Sequence, residues 1–322
     1  ANFVMFSQAQ LMQNDELLRQ VFSVLVTAHY QTKPSDLKML LDNPQVRVFA
    51  LCSPDNQILA VALTLYEGDV EPEPVQAIQQ GKRRLKSHFL PQSILTQCVN
   101  KCAFDYRYLR VMRIAVHPTV QQLGLGTKLL NSIESWASSN DVDCLGTSFA
   151  ANVEVCNFWF TSGFQIARIG FTADASSGEY STLMLKSVNT KTNAFVDNLN
   201  RSFYQSFAYL LTDEYQQLSV PLVQLVLTQN AHSDTLSRNA KDKLIAYANR
   251  EVQYSCIVFE LHQWLMADLA SQKVIDKQFT PLVARVLMKH SVSDVCSRYG
   301  YTGKKALSRY IIDTVAAKLA EA

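Results

Sequence analysis

The run Val120-Gln-Gln-Leu-Gly-Leu-Gly-Thr127 leaves a strand-like segment and opens a helical one. This junction constrains the chain more than any other feature. Two glycines one residue apart at such a place let successive backbone N–H groups converge at the positive end of a helix, where a phosphate or pyrophosphate is stabilised. On the glycines alone, a merely structural turn stays open as the alternative. Two nucleotide readings are excluded. No third glycine completes a dinucleotide fingerprint, and no Gly-x-x-x-x-Gly-Lys-Ser/Thr occurs anywhere, so an NTPase by the P-loop route is ruled out.

Hydrophobic periodicity arranges the rest of the chain around this junction. Ala1–Phe6 lacks the basic flank and cleavage site of a secretory signal and leads straight into a helix-like segment. Leu17, Leu18, Val21, Leu25 and Ala28 form one stripe of a helix over 13–28, and Pro34-Ser35-Asp36 starts a short second helix, so two helices open the chain. Val46–Leu51 and Gln57–Tyr66 predict an antiparallel hairpin turning through Ser53-Pro-Asp-Asn56. The acidic, proline-rich run from Glu67 to Pro74 and the basic run from Gly81 to His88 read as exposed loop or helix-end material. A helix is expected over Pro91–Cys102, a strand over Tyr108–Val116, a helix over Leu125–Ser138, a strand over Asp143–Phe149 and a helix over Val153–Thr161. Strands at Phe164–Ile169 and Tyr180–Leu185 complete the series. The alternation argues for an α/β domain, a mixed sheet flanked by helices.

From about Thr190 helical periodicity takes over. Val258, Leu261, Leu265 and Leu269 recur at helical spacing in the proline-free stretch Ser237–Val274, and helix starts are expected at Ser233-Asp234 and Thr280-Pro281. A chain of 322 residues is long for one core, so two domains are expected, 1–188 and an all-α 189–322. The apolar content of 48% is ordinary for a soluble globular protein, and no apolar run reaches the length of a membrane span. The seven cysteines are odd in number and scattered, which points to reduced thiols in a cytoplasmic protein. Cys98 and Cys102 have no second ligand pair at matching spacing, so no metal is expected. The net charge of +2 selects no partner, and the slight basic excess of 189–322 is too small to establish nucleic-acid binding.

The strand ending Arg113-Ile-Ala-Val-His-Pro118, followed by Gln121-x-x-Gly124-x-Gly126, resembles the Gln/Arg-x-x-Gly-x-Gly/Ala motif of the GNAT acetyltransferases. Downstream, Asn152-x-x-Val155-x-x-Phe158-Trp159-x-x-x-Gly163-Phe164 is similar to that family's Asn-x-x-Ala-x-x-Phe-Tyr-x-x-x-Gly-Phe. The resemblance implies the GNAT acyl-CoA N-acyltransferase fold. It implies that Ile114, Ala115 and Val116 bind the pantetheine arm of acetyl-CoA through backbone groups, and that Gln121, Gln122, Leu123, Gly124, Leu125, Gly126 and Thr127 hold its phosphates. The Val116 N–H would polarise the thioester carbonyl. The family's frequent Tyr proton donor is here Trp159, whose indole is no such donor.

Further stretches are similar to the C-terminal half of the bacterial tRNA(Met) cytidine acetyltransferases: Ala28–Leu37, Glu67-Gly68, Gly81–Arg84 with His88–Gln92, and Ala175–Tyr180. That resemblance covers roughly residues 10–188 well and the helical tail loosely. It implies acetylation of the N4 amine of a wobble cytidine in elongator tRNA, with tRNA as partner. It also implies an ATP-driven helicase module upstream, whose absence fits the start without Met and the missing P-loop. In that group Glu154 is a further acetyl-CoA contact, while an expected Arg is replaced by Thr161. His117, at the exit of the strand, is the candidate proton acceptor by residue type, with a structural His-Pro as the alternative. Arg83, Arg84 and Lys86, with Lys82 beside them, are candidate RNA contacts, against an ordinary solvated charge run. The tail segment 291–309, with Lys304 and Lys305, has the outline of a helix-turn-helix or of a plain helical hairpin. Two other functions stay open: a GNAT acting on a protein or small-molecule amine, and an RNA-binding fragment inactive without its ATPase module.

Overall fold

The computed structural model describes residues 1–27, 34–70, 72–232, 235–272 and 275–321. The expected end of the first long helix at Ala28, most of the Ala28–Leu37 stretch and the helix start at Ser233-Asp234 lie outside the described residues. Seven strands, β1 (Asn2–Phe6), β2 (Val46–Cys52), β3 (Ile58–Gly68), β4 (Arg107–Val116), β5 (Cys144–Ala150), β6 (Gln165–Ala173) and β7 (Tyr180–Ser187), form one sheet in the order β1-β2-β3-β4-β5-β7-β6. β4 and β5 run parallel, whereas β1–β2, β2–β3, β3–β4 and β5–β7 are antiparallel, so the sheet is mixed. A parallel neighbour requires a crossover. The helix over Leu125–Ser138 provides it.

The first strand corrects the expectation of a helix from the outset. Asn2–Phe6 pairs with Val48–Cys52, and Phe3 stacks on Phe49 with ring centroids 5.6 Å apart. It is a half-exposed edge strand whose partner lies far along the chain, so its local pattern carries little signal. Three helices follow where two were expected. These are α1 (Gln8–Gln13), α2 (Asp15–Thr27) and α3 (Pro34–Asp42). Ser7 and Gln10 close a capping box at the start of α1, and Asn14 separates it from α2.

Helices α1 to α3 cover one face of the sheet, where Leu11, Val21, Leu25 and Leu40 pack with Val48, Ala50, Val61 and Leu63. After α4 (Pro72–Gln79), the helix α5 (Phe89–Gln97) covers the same face further along the sheet, whereas α6 (Leu125–Ser138) covers the other. Leu90 and Ile94 of α5 pack with Tyr108, Cys144 and Leu185, and on the opposite face Trp136 of α6 meets Phe49 edge to face at 4.9 Å. With both faces buried, β2 and β3 read as continuous apolar runs rather than alternating ones.

Glu67 and Gly68 also differ from expectation. They end β3 instead of starting an exposed loop. The Glu67 side chain is fully buried; it accepts the Leu90 N–H at 2.6 Å and pairs with the Arg110 guanidinium at 3.3 Å. Arg110 in turn lies over the Phe89 ring at 4.4 Å. Gly68 sits at φ +89°, and an added Cβ would run into the Tyr106 carbonyl oxygen. Sequence pattern could not separate these two residues from the loop because the groups that hold them come from β4 and α5. The expected helix Pro91–Cys102 is shorter, since Cys98 caps α5 and Asn100 caps a separate 3-10 turn at Lys101–Asp105.

The chain divides into two compact units, residues 1–150, 158–170 and 174–200 in one, and 151–157, 171–173 and 201–322 in the other. Helix α7 (Val153–Thr161) precedes β6, and α8 (Thr190–Leu210) follows β7. The second unit is helical, with α9 (Val220–Thr228) at its centre, buried at every residue but Pro221 and capped by Ser219. Around it lie α10 (Arg238–Ala248), α11 (Val258–Ser271), α12 (Thr280–Leu282), α13 (Val292–Tyr299) and α14 (Lys304–Glu321), and α12 runs into a π turn at Val283–Leu287. Leu261, Leu265 and Leu269 of α11 are fully buried. Among the described residues no helix is long and apolar enough to cross a membrane.

Arg110→Met is expected to destabilise the protein by about 3 kcal/mol, because it leaves a buried carboxyl without its cation. A lowered urea midpoint checks this, and a midpoint equal to wild type contradicts it. Burial raises the Glu67 pKa above the ordinary carboxylate range, with Arg110 and the Leu90 amide opposing the shift. The folded protein therefore keeps this proton to higher pH than the unfolded chain. The stability it contributes is full below the ordinary carboxylate range and is lost as pH rises through the folded value. Glu67→Gln should flatten that fall in the pH profile of the urea midpoint, and an unchanged slope contradicts the assignment.

Candidate functional site

β4 carries one residue more than β3 where the register passes from Leu63↔Arg113 to Thr64↔Val111, so Met112 is bulged out. A bulge bends its strand and increases the local twist. β5 pairs with β4 from Tyr108↔Cys144 to Val111↔Thr147, whereas it goes on pairing with β7 as far as Ala150↔Ser181. The two parallel strands thus part at the bulge, leaving a wedge between Ile114–Val116 and the end of β5. Beyond the bulge, the His117 N–H donates to the Leu59 carbonyl at 2.8 Å. The alternation of an antiparallel ladder then turns the backbone groups of Ala115 towards β3 and those of Ile114 and Val116 into the wedge. Of the three strand residues singled out by the sequence, Ile114 and Val116 present donors there.

The turn after β4 is held from both sides. Gln121 folds its side-chain amide back onto the Val116 carbonyl at 3.1 Å, leaving its main chain for any anion. The His117 Nδ1 caps the 3-10 turn at Pro118–Val120, lying 2.8 Å from the Thr119 hydroxyl and 3.4 Å from the Thr119 N–H. With Nδ1 so engaged, Nε2 is the ring nitrogen that the turn does not use. Left-handed backbone at Gln122 (φ +61°) and Gly124 (φ +74°) then swings the chain into α6.

Helix α6 starts without a side-chain cap and without an acidic residue in its first turn. Its first intrahelical bond is Lys128 N–H to the Gly124 carbonyl, at 2.9 Å, so the amides of Leu125, Gly126 and Thr127 have no acceptor inside the helix. Unsatisfied donors and the positive end of the helix dipole together suit an anion. A groove of about 580 Å³ runs beside these turns, lined by Gly124, Thr127, Lys128, Asn131, Ser132 and Ser135. Lys128 escaped the sequence analysis. Its signal is the i, i+4 spacing from Gly124, which sets a cation on the same face of the helix.

Gly126 joins the two sequence segments. A Cβ there would lie 3.2 Å from the Phe158 ring and 3.7 Å from Val116 Cγ2, so the helix, α7 and the strand end meet at a residue with no side chain. Asn152 accepts the Val155 N–H at 2.9 Å and thereby caps α7. Trp159 is 3% exposed, packed among Phe149, Phe158 and Phe164 with centroids 6.0, 5.2 and 4.7 Å away. Its indole is a core group. Thr161 is exposed and donates to the Phe158 carbonyl at 3.1 Å, and Glu154 is an exposed carboxylate in the first turn of α7.

Arg83, Arg84 and Lys86 are exposed, on a loop whose Leu85 main chain is clamped from both sides by the Gln92 side chain. Lys304 and Lys305 are exposed at the start of α14. Gly300 ends α13 in left-handed backbone at φ +75°, giving the helix, glycine turn and helix expected for 291–309.

The family model for GNAT acetyltransferase 2 matches residues 20–141. A tRNA(Met) cytidine acetyltransferase of Nitrosococcus halophilus is 30% identical over 91% of this chain and 40% of its own length. The Vibrio cholerae protein of the same name is 28% identical over 99% of this chain and 43% of its own. That of Haloarcula marismortui is 35% identical over 69% of this chain and 28% of its own. The chain therefore spans about two-fifths of the length of the first two relatives. Over the span it shares with these proteins, the chain belongs to the tRNA(Met) cytidine acetyltransferase family and carries its GNAT fold.

Proposed function

We propose that the chain transfers an acetyl group from acetyl-CoA to the N4 amine of a tRNA cytidine, at the wobble position of elongator tRNA(Met), as the catalytic part of a longer enzyme. The observation that carries this is the wedge between β4 and β5 opening beside an uncapped helix N-terminus, in a chain whose relatives bear that name. The residues present suit acyl-CoA. The amides of Ile114 and Val116 face a gap where an amide-bearing arm can replace the missing strand. Gln122 to Thr127 offer N–H groups to a pyrophosphate, with Lys128 alongside. Glu154 is kept as a further contact.

Acetyl-CoA supplies an activated acyl group, whose C–S bond is exchanged for the new amide N–C bond. Val116 N–H, with Ile114 N–H one step along the same edge, stabilises negative charge on the acyl oxygen. A cytidine N4 amine is neutral at pH 7, so no base is needed to free the nucleophile. One proton must leave that nitrogen and one must reach the sulfur. His117 Nε2 is the proposed acceptor of the first, and the burial of Trp159 assigns the second to water or another group. The sheet-bearing part, 1–188, is the transferase domain in this scheme, and 189–322 is a tail that meets tRNA. Arg83, Arg84, Lys86, Lys304 and Lys305 are the proposed phosphate contacts. An upstream ATPase module is the expected partner, and a tRNA substrate sets the reaction in the cytoplasm.

The full-length protein, incubated with acetyl-CoA, tRNA and ATP, should yield acetylcytidine by nucleoside mass spectrometry. Acetylated lysine peptides or small amines without acetylcytidine would overturn the proposal. Gly126→Val should weaken acetyl-CoA binding by tenfold or more in calorimetry, about 1.4 kcal/mol or above, because its side chain collides with Phe158. Gly124→Ala meets nothing within 4 Å and has only its left-handed backbone to strain, so a smaller loss is expected. The reverse order contradicts the geometry. Trp159→Phe should keep the rate within roughly threefold, about 0.7 kcal/mol; a collapse of the rate in a folded variant would make the indole a participant.

A further inference from the structure

The helical unit contains a trough that the chemistry above does not use. One wall is α8, where Arg201, Gln205, Ala208 and Tyr209 share a face by their spacing. The other wall is α11, with Phe259 and His262. Two cavities, about 430 and 800 Å³, meet along Gln205, Ala208 and His262 and make the trough continuous. From Arg201 to Tyr209 the helix rises about 12 Å.

Three features of its lining converge. Tyr209 is 80% exposed and Phe259 66%, two large rings facing water beside the same cavity. The second is charge. Arg201 and Lys289 line the trough with Arg285 close to Lys289, and the lining carboxylate, Glu260, is already tied to Lys243 at 2.5 Å. Burial and the neighbouring Arg285 hold the Lys289 ammonium below its ordinary pKa, and burial together with Lys289 does the same to His262, with no carboxylate among the groups acting on either. The third is backbone. Lys289, one residue beyond the Met288 that caps the π turn Val283–Leu287, adopts φ +57°. Departures of both kinds concentrate at ligand sites. Arg285 is held there by its bond to the His290 carbonyl at 2.9 Å and by the Tyr254 ring at 5.4 Å.

Cations alone would serve an acidic peptide as well as a nucleic acid. Exposed rings set among cations decide between them, because bases present flat π faces at every nucleotide while the phosphates seek the charges. We infer that this trough binds a single-stranded RNA segment, with phosphates on Arg201 and Lys289 and bases stacked on Tyr209 and Phe259. It rests on the reading of RNA as the acceptor, and it is a different surface from Lys304 and Lys305.

The test uses the whole chain and fluorescence anisotropy, with labelled oligouridylate, a tRNA(Met) transcript, an RNA duplex and polyglutamate as probes. Tyr209→Ala and Phe259→Ala should each weaken single-strand binding about tenfold. Tyr209→Phe should stay within about twofold, because the ring that stacks is kept. Lys289→Ala should weaken binding and lower its salt dependence. Duplex binding and acetyl-CoA affinity should not change. Alanine variants that bind single strands like wild type overturn the inference. So does polyglutamate that binds as tightly as RNA and is lost in the same variants. If the full-length protein makes no acetylcytidine while the trough variants still lose single strands, the proposed function fails and this inference stands.

Discussion

The missing ladder between β4 and β5 is the constraint on which the site depends. A parallel pair inside a sheet covered on both faces ordinarily satisfies its backbone groups with its neighbour, and an unpaired amide there is costly. In this chain the extra residue Met112 bends β4 at the point where pairing with β5 stops, while β5 stays fixed by β7. The donors of Ile114 and Val116 are therefore left by the topology itself. Antiparallel alternation decides that it is these two residues, and not Ala115 between them, that face the gap.

The second requirement is a helix that begins where the wedge ends. Helix starts commonly carry Ser, Thr, Asp or Asn to accept the first amides. Gly124 at the start of α6 cannot, and the first turn holds no acid to occupy the dipole. The same turn needs Gly126, since any side chain there would press on Phe158 and Val116. The two glycines thus have different physical reasons. One sets a left-handed turn, and the other allows three elements to converge. Trp159, which stands where a proton donor was sought, belongs instead to the aromatic packing that supports this convergence.

Much of this was legible in the sequence because its signals are local. The helices Leu125–Ser138 and Val153–Thr161 were expected with the bounds they have, since a glycine and an asparagine mark their starts and apolar spacing runs through them. The loop glycines marked the turn that leads from β4 into α6. What stayed hidden depends on partners distant in the chain. β1 is defined by β2, the burial of Glu67 by Arg110 and Leu90, and the bulge at Met112 by register against β3. The split between Arg250 and Ile257 of a stretch that reads as proline-free helix has a similar origin. Arg250 takes a left-handed φ of +65°, and a 3-10 turn follows, with no proline or glycine to announce either.

Backbone amide exchange, followed residue by residue with and without acetyl-CoA, tests the central claim most directly. The account predicts new protection at Ile114, Val116 and the amides from Gln122 to Thr127, with Ala115 unchanged because it is already bonded to β3. Protection at Ala115 in place of its neighbours, or none along this segment while acetyl-CoA is bound, would contradict it.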